Sequence, residues 1–189
     1  MLFKNTTTLF MLLLCLQLTA CAKALFSNNQ TSQVIPYMVV GSGTHRGNEI
    51  RITEFVFDDT WTAPKGSRAC CWGDPGGLQP MKDKNSPKKL NITWFDYLPE
   101  RHFQAEVTLS DKLYGYTLNL PTHFYVVQKK EKENIYPYLI VGLGKEGEVV
   151  VWISNASGSR NISGRVMYEV GRAQAVCIPS HNEGVPNNC

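Results

Sequence analysis

Hydrophobic and polar residues alternate along much of this chain, with the period of two that is typical of β-strands with one buried face. Leu90–Phe95 and Phe103–Leu109 are the clearest examples, and the short turn at Pro99–Arg101 between them predicts a β-hairpin. Further strands are predicted at Val34–Val40, Ile50–Phe57, His123–Lys129 and Arg165–Val176. The pattern therefore predicts a mainly β protein.

One of these strands changes its buried face part of the way along. Ile50 and Ile52 share one side of the Ile50–Phe57 strand, whereas Phe55 and Phe57 fall on the other. Because one extra residue in a strand exchanges its faces in this way, we expect a β-bulge or a bend between Ile52 and Phe55.

Two runs lack the alternation because most of their residues are apolar. Tyr136–Leu143 and Gly147–Ser154 are rich in Val and Ile, which is typical of strands buried on both faces at the centre of a sheet. One short helix is expected to begin at Ser110–Asp111 and to end before Pro121. Together these elements predict an antiparallel β-sandwich or a curled antiparallel sheet with one short helix.

Glycine and proline interrupt the pattern most strongly between Asp58 and Pro87, and Gly41-Ser42-Gly43 interrupts it once more. Both segments are predicted to be loops, because these residues break long elements. A long loop in a compact domain is more often functional than idle. Within it, Trp72 and Asp74 are candidate partner-binding residues, since Trp is enriched in binding hot spots; packing inside the domain is the alternative for Trp72.

The N-terminus has the order of features of a secretory signal: Lys4, the apolar run Leu9–Leu16, and then small residues. The apolar run is too short to span a membrane comfortably. Leu18-Thr19-Ala20-Cys21 resembles the lipobox of bacterial lipoproteins, and the resemblance implies cleavage before Cys21 and acylation of its thiol, as with palmitate. An ordinary signal peptide with a cysteine at its cleavage site is the alternative.

This interpretation divides the chain into a lipoprotein signal peptide at residues 1–20, a lipidated tether at 21–33 and a single β-rich domain at 34–189. The domain would lie on the periplasmic side of a bacterial membrane, held there by its N-terminal lipid. By resemblance to enteric lipoproteins, Ala22 favours the outer membrane.

Four cysteines remain beyond Cys15 and Cys21, and an even number in an oxidising compartment predicts a disulfide framework. They are Cys70, Cys71, Cys177 and Cys189. A bond between neighbouring residues would strain the peptide between them, so we expect each of Cys70 and Cys71 to pair with one of the two C-terminal cysteines. A zinc site is the alternative, but no Cys-x-x-Cys spacing supports it and no metal is predicted.

Charge and motifs argue against several functions. The formal net charge is +3, and removal of the signal takes away one of the 19 basic residues and none of the 16 acidic ones, so no nucleic-acid partner is predicted. Gly142–Gly147 matches a dinucleotide-binding fingerprint, but a strand follows it where that motif needs a helix; these glycines are interpreted as turn residues. No histidine has metal-type or catalytic spacing. We therefore predict neither an enzyme nor a cofactor or small-molecule substrate.

Three blocks of the sequence resemble a group of bacterial lipoproteins associated with type VI secretion loci. They are Cys70–Gly73, Leu90–Tyr97, and Tyr138–Leu143 continuing into Gly147–Trp152. Several such lipoproteins are immunity proteins, so the resemblance implies that this chain binds and inhibits a secreted lipase (phospholipase) effector in the periplasm. The alternative is a structural or sensory envelope lipoprotein that binds another cell-surface component.

Overall fold

The computed structural model describes residues 33–125, 130–131, 136–158, 162–179 and 189. The signal peptide, Cys21 and nearly all of the predicted tether lie outside these residues. Among the residues described, no helix has the length and apolar character needed to cross a membrane.

Two β-sheets form the body of the protein. Sheet A has the strand order β13-β11-β10-β1-β5, and its strands are β1 (Val34–Thr44), β5 (Gly76–Asn85), β10 (Tyr138–Leu143), β11 (Glu148–Ser154) and β13 (Met167–Gln174). Sheet B has the order β14-β7-β6-β2-β3, with β4 on β2, and its strands are β2 (Ile50–Phe57), β3 (Trp61–Thr62), β4 (Gly66–Arg68), β6 (Lys89–Asp96), β7 (Arg101–Thr108) and β14 (Val176–Ile178). A small third sheet joins β8 (Phe124–Tyr125), β9 (Lys130–Glu131) and β12 (Ile162–Ser163).

The inner faces of sheets A and B share one hydrophobic core, which confirms the predicted β-sandwich. Phe55 and Trp94 of sheet B are fully buried in this core together with Leu139 and Val151 of sheet A. Pairing is antiparallel except between β1 and β10, which run parallel, so sheet A is mixed. A parallel pair needs a crossover connection, and here the crossover contains most of sheet B.

The predicted irregularity in β2 is a β-bulge. The pairing of β2 with β6 shifts between Ile52 and Glu54. As a result Ile50, Ile52, Phe55 and Phe57 all face the core, although simple alternation would place them on opposite sides. The bulge is therefore the device by which this strand keeps one buried face.

The hairpin and the helix occupy the predicted positions. The turn between β6 and β7 spans Tyr97–Glu100, and helix α1 spans Leu113–Leu118. Ser110 precedes the helix and accepts a hydrogen bond at its Oγ from the backbone N–H of Lys112. This is the kind of side-chain contact that favours Ser before a helix start.

The prediction of a continuous loop from Asp58 to Pro87 is wrong, because this segment contains β3, β4 and β5. Strand β5 pairs with β1 along ten residues and forms an edge of sheet A. An edge strand tolerates Pro80, since its missing N–H can face away from the ladder. Gly41-Ser42-Gly43 is likewise part of β1 and not a loop.

The two ends of β1 define opposite ends of the domain. The strand has 11 residues at about 3.3 Å each, so Val34 and Thr44 are roughly 33 Å apart. Three turns lie near Thr44, at His45–Glu49, Tyr97–Glu100 and Gly144–Gly147. We call them together the distal face, because the chain leads into the domain at the other end, where Ser86 N–H bonds to the carbonyl of Gln33.

Candidate functional site

The segment Ala69–Pro75, called here the covering loop, lies against the outer face of sheet A. A Cβ added to Gly43 would be 2.3 Å from the carbonyl oxygen of Cys71, and one added to Gly41 would be 2.8 Å from the Cβ of Pro75. No side chain fits between strand and loop at these positions. The glycines of β1 therefore permit a loop backbone to touch a sheet face.

Trp72 fills the neighbouring part of this face. Gly142 pairs with Gly43 across the sheet, and a Cβ on Gly142 would be 3.0 Å from the Trp72 ring. The Trp152 ring meets Trp72 edge-on, with 5.2 Å between ring centroids. The interpretation of Gly142 as a turn residue is wrong, because it lies within β10. Its lack of a side chain makes room for two indole rings.

The covering loop also explains why the central strands are buried on both faces, as predicted. Ile140 and Val150 are fully buried, but they do not belong to the core between the sheets. They alternate with the core residues Val141 and Val151, so they face the outer side on which the covering loop lies. Sheet A thus has hydrophobic packing on both sides.

Asp74, near the C-terminal end of the covering loop, is bound by Arg165, and this contact helps to hold the loop in place. Its carboxylate accepts a hydrogen bond from Arg165 at 3.1 Å, and the guanidinium, only 10% exposed, also donates to the carbonyls of Gly73 and Ala156. Burial lowers the pKa of Arg165, and the charge of Asp74 opposes that effect. Asp74 therefore positions the loop; a direct contact between Asp74 and a partner stays a prediction.

The predicted disulfide pairing is wrong. Cys70 is bonded to Cys71 across a cis peptide, and Cys177 is bonded to Cys189 with their Cα atoms 5.7 Å apart. The physical reason is position. Cys71 lies on the outer face of sheet A, whereas Cys177 pairs with Phe103 in sheet B and packs against the core, so the sandwich itself separates the two pairs. The two bonds therefore form separately, one within the covering loop and one between Cys177 and Cys189.

Beside Trp72 is an open depression of about 500 Å³, lined by His45, Arg46, Lys145 and Glu148. The imidazole of His45 stacks on the indole of Trp72, with centroids 4.3 Å apart and planes 7° from parallel. Glu148 is held by Arg172, whose Nη1 lies 2.5 Å from the carboxylate. Sequence reasoning did not identify these four residues as a group, because three separate segments supply the depression and its aromatic wall.

A buried polar network fixes the turns of the distal face. Thr44 Oγ1 donates to the carbonyl of Leu143 at 2.7 Å, and Asn48 Nδ2 donates to Thr44 Oγ1 at 3.1 Å. Asp96, 1% exposed, accepts a hydrogen bond from the backbone N–H of Leu98 at 3.1 Å, and the Asn48 side chain is close enough to its carboxylate to affect its pKa. Burial is the main cause that raises the pKa of Asp96.

Further contacts make the distal face continuous. The backbone N–H of Tyr97 donates to the carbonyl of Glu49 at 3.1 Å, and Arg101 lies 3.7 Å from the carboxylate of Glu146. At the tip of the hairpin, Tyr97 is 41% exposed and Leu98 is 66% exposed. Exposed apolar side chains thus lie beside the charged depression on turns that are joined by hydrogen bonds.

Among the residues that the structure describes, no three His, Cys, Asp or Glu side chains cluster as metal ligands would. Fold and site define a disulfide-containing β-sandwich that carries a loop-built surface at one end. The chain belongs to the family described as a protein of unknown function (DUF2931), which matches residues 21–183. Neither the comparison with curated proteins nor the comparison with solved structures found a match.

Proposed function

We propose that this protein is a lipid-anchored binding protein of the bacterial envelope, an immunity protein that occupies and inhibits a type VI secretion lipase effector in the periplasm. It acts by binding and not by catalysis. The observation that carries the proposal is the distal face: aromatic and charged side chains are grouped on one surface about as far from Val34 as β1 is long.

The proposed anchor agrees with this arrangement. Acylated Cys21 would be separated from Gln33 by a short polar segment, and the family match begins at Cys21, which is the boundary that the lipobox predicts. In sequence the tether joins the domain at the Val34 end of β1, and the distal face lies at the other end of that strand.

An inhibitor that acts by occupying its target must bind it tightly, and tight binding requires a large contact surface. A nanomolar dissociation constant corresponds to about −12 kcal/mol, and stable complexes of this kind bury roughly 1,600 Å² in total with a few well-packed anchors. Leu98 and Tyr97 are the exposed anchors at this end, and Trp72 with His45 forms the adjoining aromatic wall. Bound over the mouth of a lipase, such a surface would exclude lipid from the active site.

The test first asks whether a lipase is encoded beside this gene, and it then uses bacteria that export that neighbouring lipase to the periplasm. Co-expression of the full chain is expected to restore growth, and the two proteins are expected to co-purify at equal stoichiometry. Cys21→Ala is expected to leave the membrane fraction while it still binds the purified lipase, because the anchor and the binding face are separate. Continued lysis with no complex would refute the immunity function and would favour a structural or sensory envelope lipoprotein.

A further inference from the structure

Some of the charged side chains that line the depression form ion pairs with other residues, and some do not. Glu148 is held by Arg172, which also binds Glu169 through two hydrogen bonds of 2.9 and 2.8 Å. Arg46 and Lys145, by contrast, are exposed, and neither is within 4 Å of a carboxylate among the described residues; Lys145 acts at longer range on Asp96, whose pKa is raised by burial and lowered by the Lys145 charge. Two cations are therefore available to a ligand.

Neighbouring contacts hold the backbone that carries Arg46 and Lys145. His45 is fixed by its stack on Trp72, which places the following residue, Arg46, at the rim. Lys145 begins the single 3₁₀ turn between β10 and β11, and Glu146 of that turn is close to Arg101. Because both cations project from backbone that is already ordered, a complementary group must order the two side chains but not the turns that carry them.

From this geometry we infer that the depression receives an acidic segment of the partner protein, with a carboxylate side chain between Arg46 and Lys145. This inference rests on the proposed function and specifies the chemistry of its partner. The neighbouring Glu148 favours this ligand over a phosphate group. Glu148 repels both anions, but a carboxylate carries a single charge where a phosphate dianion carries two, and the N–H groups of the same protein segment can donate to Glu148.

The charges of the depression are expected to act on a bound partner and not to attract a distant one. At this end of the domain the carboxylates of Glu49, Asp96, Glu100, Glu146, Glu148 and Glu169 outnumber the cations of Arg46, Arg101, Lys145 and Arg172, so there is no excess of positive charge. Strong steering of a distant partner needs a large field of one sign. We therefore expect charge reversal in the depression to raise the dissociation rate more than it lowers the association rate.

The decisive variant is the double substitution Arg46→Glu with Lys145→Glu. Its matched control is Lys82→Glu with Lys112→Glu, which makes the same change in net charge at exposed positions outside the distal face. Binding of the neighbouring lipase is measured by interferometry on the full chain held in lipid nanodiscs. The first double variant is expected to weaken binding tenfold or more, and the control less than about twofold, since an unpaired carboxylate at an interface is costly.

A second arm uses defined probes, so that the inference has a test that does not need the lipase. Amide NMR spectra of the full chain in micelles are recorded with capped hexaglutamate and with inorganic phosphate at equal ionic strength. Hexaglutamate is expected to shift the resonances of His45, Arg46 and Lys145, and the double reversal is expected to abolish these shifts.

The outcomes separate the two proposals. If wild-type chain binds the lipase but both double variants bind it equally well, the acidic-segment inference is overturned and the immunity function stands. If hexaglutamate binds but the lipase does not, the immunity function fails and the acidic-segment specificity holds for another partner. Tighter binding of phosphate than of hexaglutamate, or no shift with either probe, overturns the inference.

Discussion

Gly43→Ala is the sharpest test of how the covering loop is held. The added Cβ would lie 2.3 Å from the carbonyl oxygen of Cys71, where at least about 3 Å is needed, and both atoms belong to backbone-fixed positions. Either β1 or the loop must then move by nearly an ångström. Overpacking of this kind typically costs about 1–3 kcal/mol, which for a domain of this size lowers Tm by several degrees at roughly 2–4 °C per kcal/mol.

Gly115→Ala is the matched control for this substitution. Gly115 lies within helix α1, is exposed, and a Cβ there would meet nothing within 4 Å. Alanine is the better helix former by about 0.8–1.0 kcal/mol, so this variant is expected to be as stable as wild type or more stable. Replacement of glycine by alanine is thus predicted to lower the stability at Gly43 and to maintain or raise it at Gly115.

Urea unfolding followed by circular dichroism measures both stabilities, and acrylamide quenching of tryptophan fluorescence reports on the loop. Gly43→Ala is expected to shift the unfolding midpoint downward and to increase quenching, because a displaced loop exposes Trp72. An unchanged midpoint together with unchanged quenching would refute the reasoning that the glycines of sheet A seat this loop.

Three further predictions concern neighbouring features. Trp72→Ala should reduce the free energy of unfolding by about 2–3 kcal/mol, below the loss at a fully buried Trp because Trp72 is half-buried, and urea unfolding will measure it. Asp96 has a pKa above its ordinary 3.8 in the folded state, so its contribution to stability is full below pH 3.8 and is lost as pH rises through the folded value. Asp96→Asn, which still accepts from Leu98 N–H, should therefore gain stability relative to wild type as the pH rises above 3.8. Non-reducing peptide mapping should find Cys177 linked to Cys189, and a link from either to Cys71 would contradict the fold.

Much of the fold could be predicted because it depends on local patterns. The hairpin of β6 and β7, the bulge in β2 and the burial of β10 and β11 on both faces follow from the alternation of apolar residues over a few positions. Strand β5 was missed because its sequence is mostly polar, with two glycines and a proline. Such composition suits an exposed edge strand as well as it suits a loop, and only the pairing with β1 distinguishes the two.

The candidate site was predictable only in part, because it is assembled across the sheet. Trp72 was identified from its loop, but its partners His45 and Trp152 are 27 and 80 positions away in sequence. Gly43 and Gly142 are conspicuous in the sequence, but a glycine has two structural interpretations. A glycine can mark a turn, or it can mark a close approach of backbone and ring, and both signals look alike without the parallel pairing of β1 and β10.

The covering loop belongs both to the packing of sheet A and to the proposed binding surface, and this determines how binding must be tested. A substitution at Trp72 or Asp74 unseats the loop, so a loss of binding there would not distinguish a contact from a collapse of the surface. Arg46 and Lys145 do not carry this ambiguity, because both side chains are exposed and neither takes part in the packing on Gly43 and Gly142. Reversal of their charges changes what a partner meets and leaves the loop seated. A loss of binding in that variant, with the unfolding midpoint unchanged, would therefore locate the contact in the depression itself.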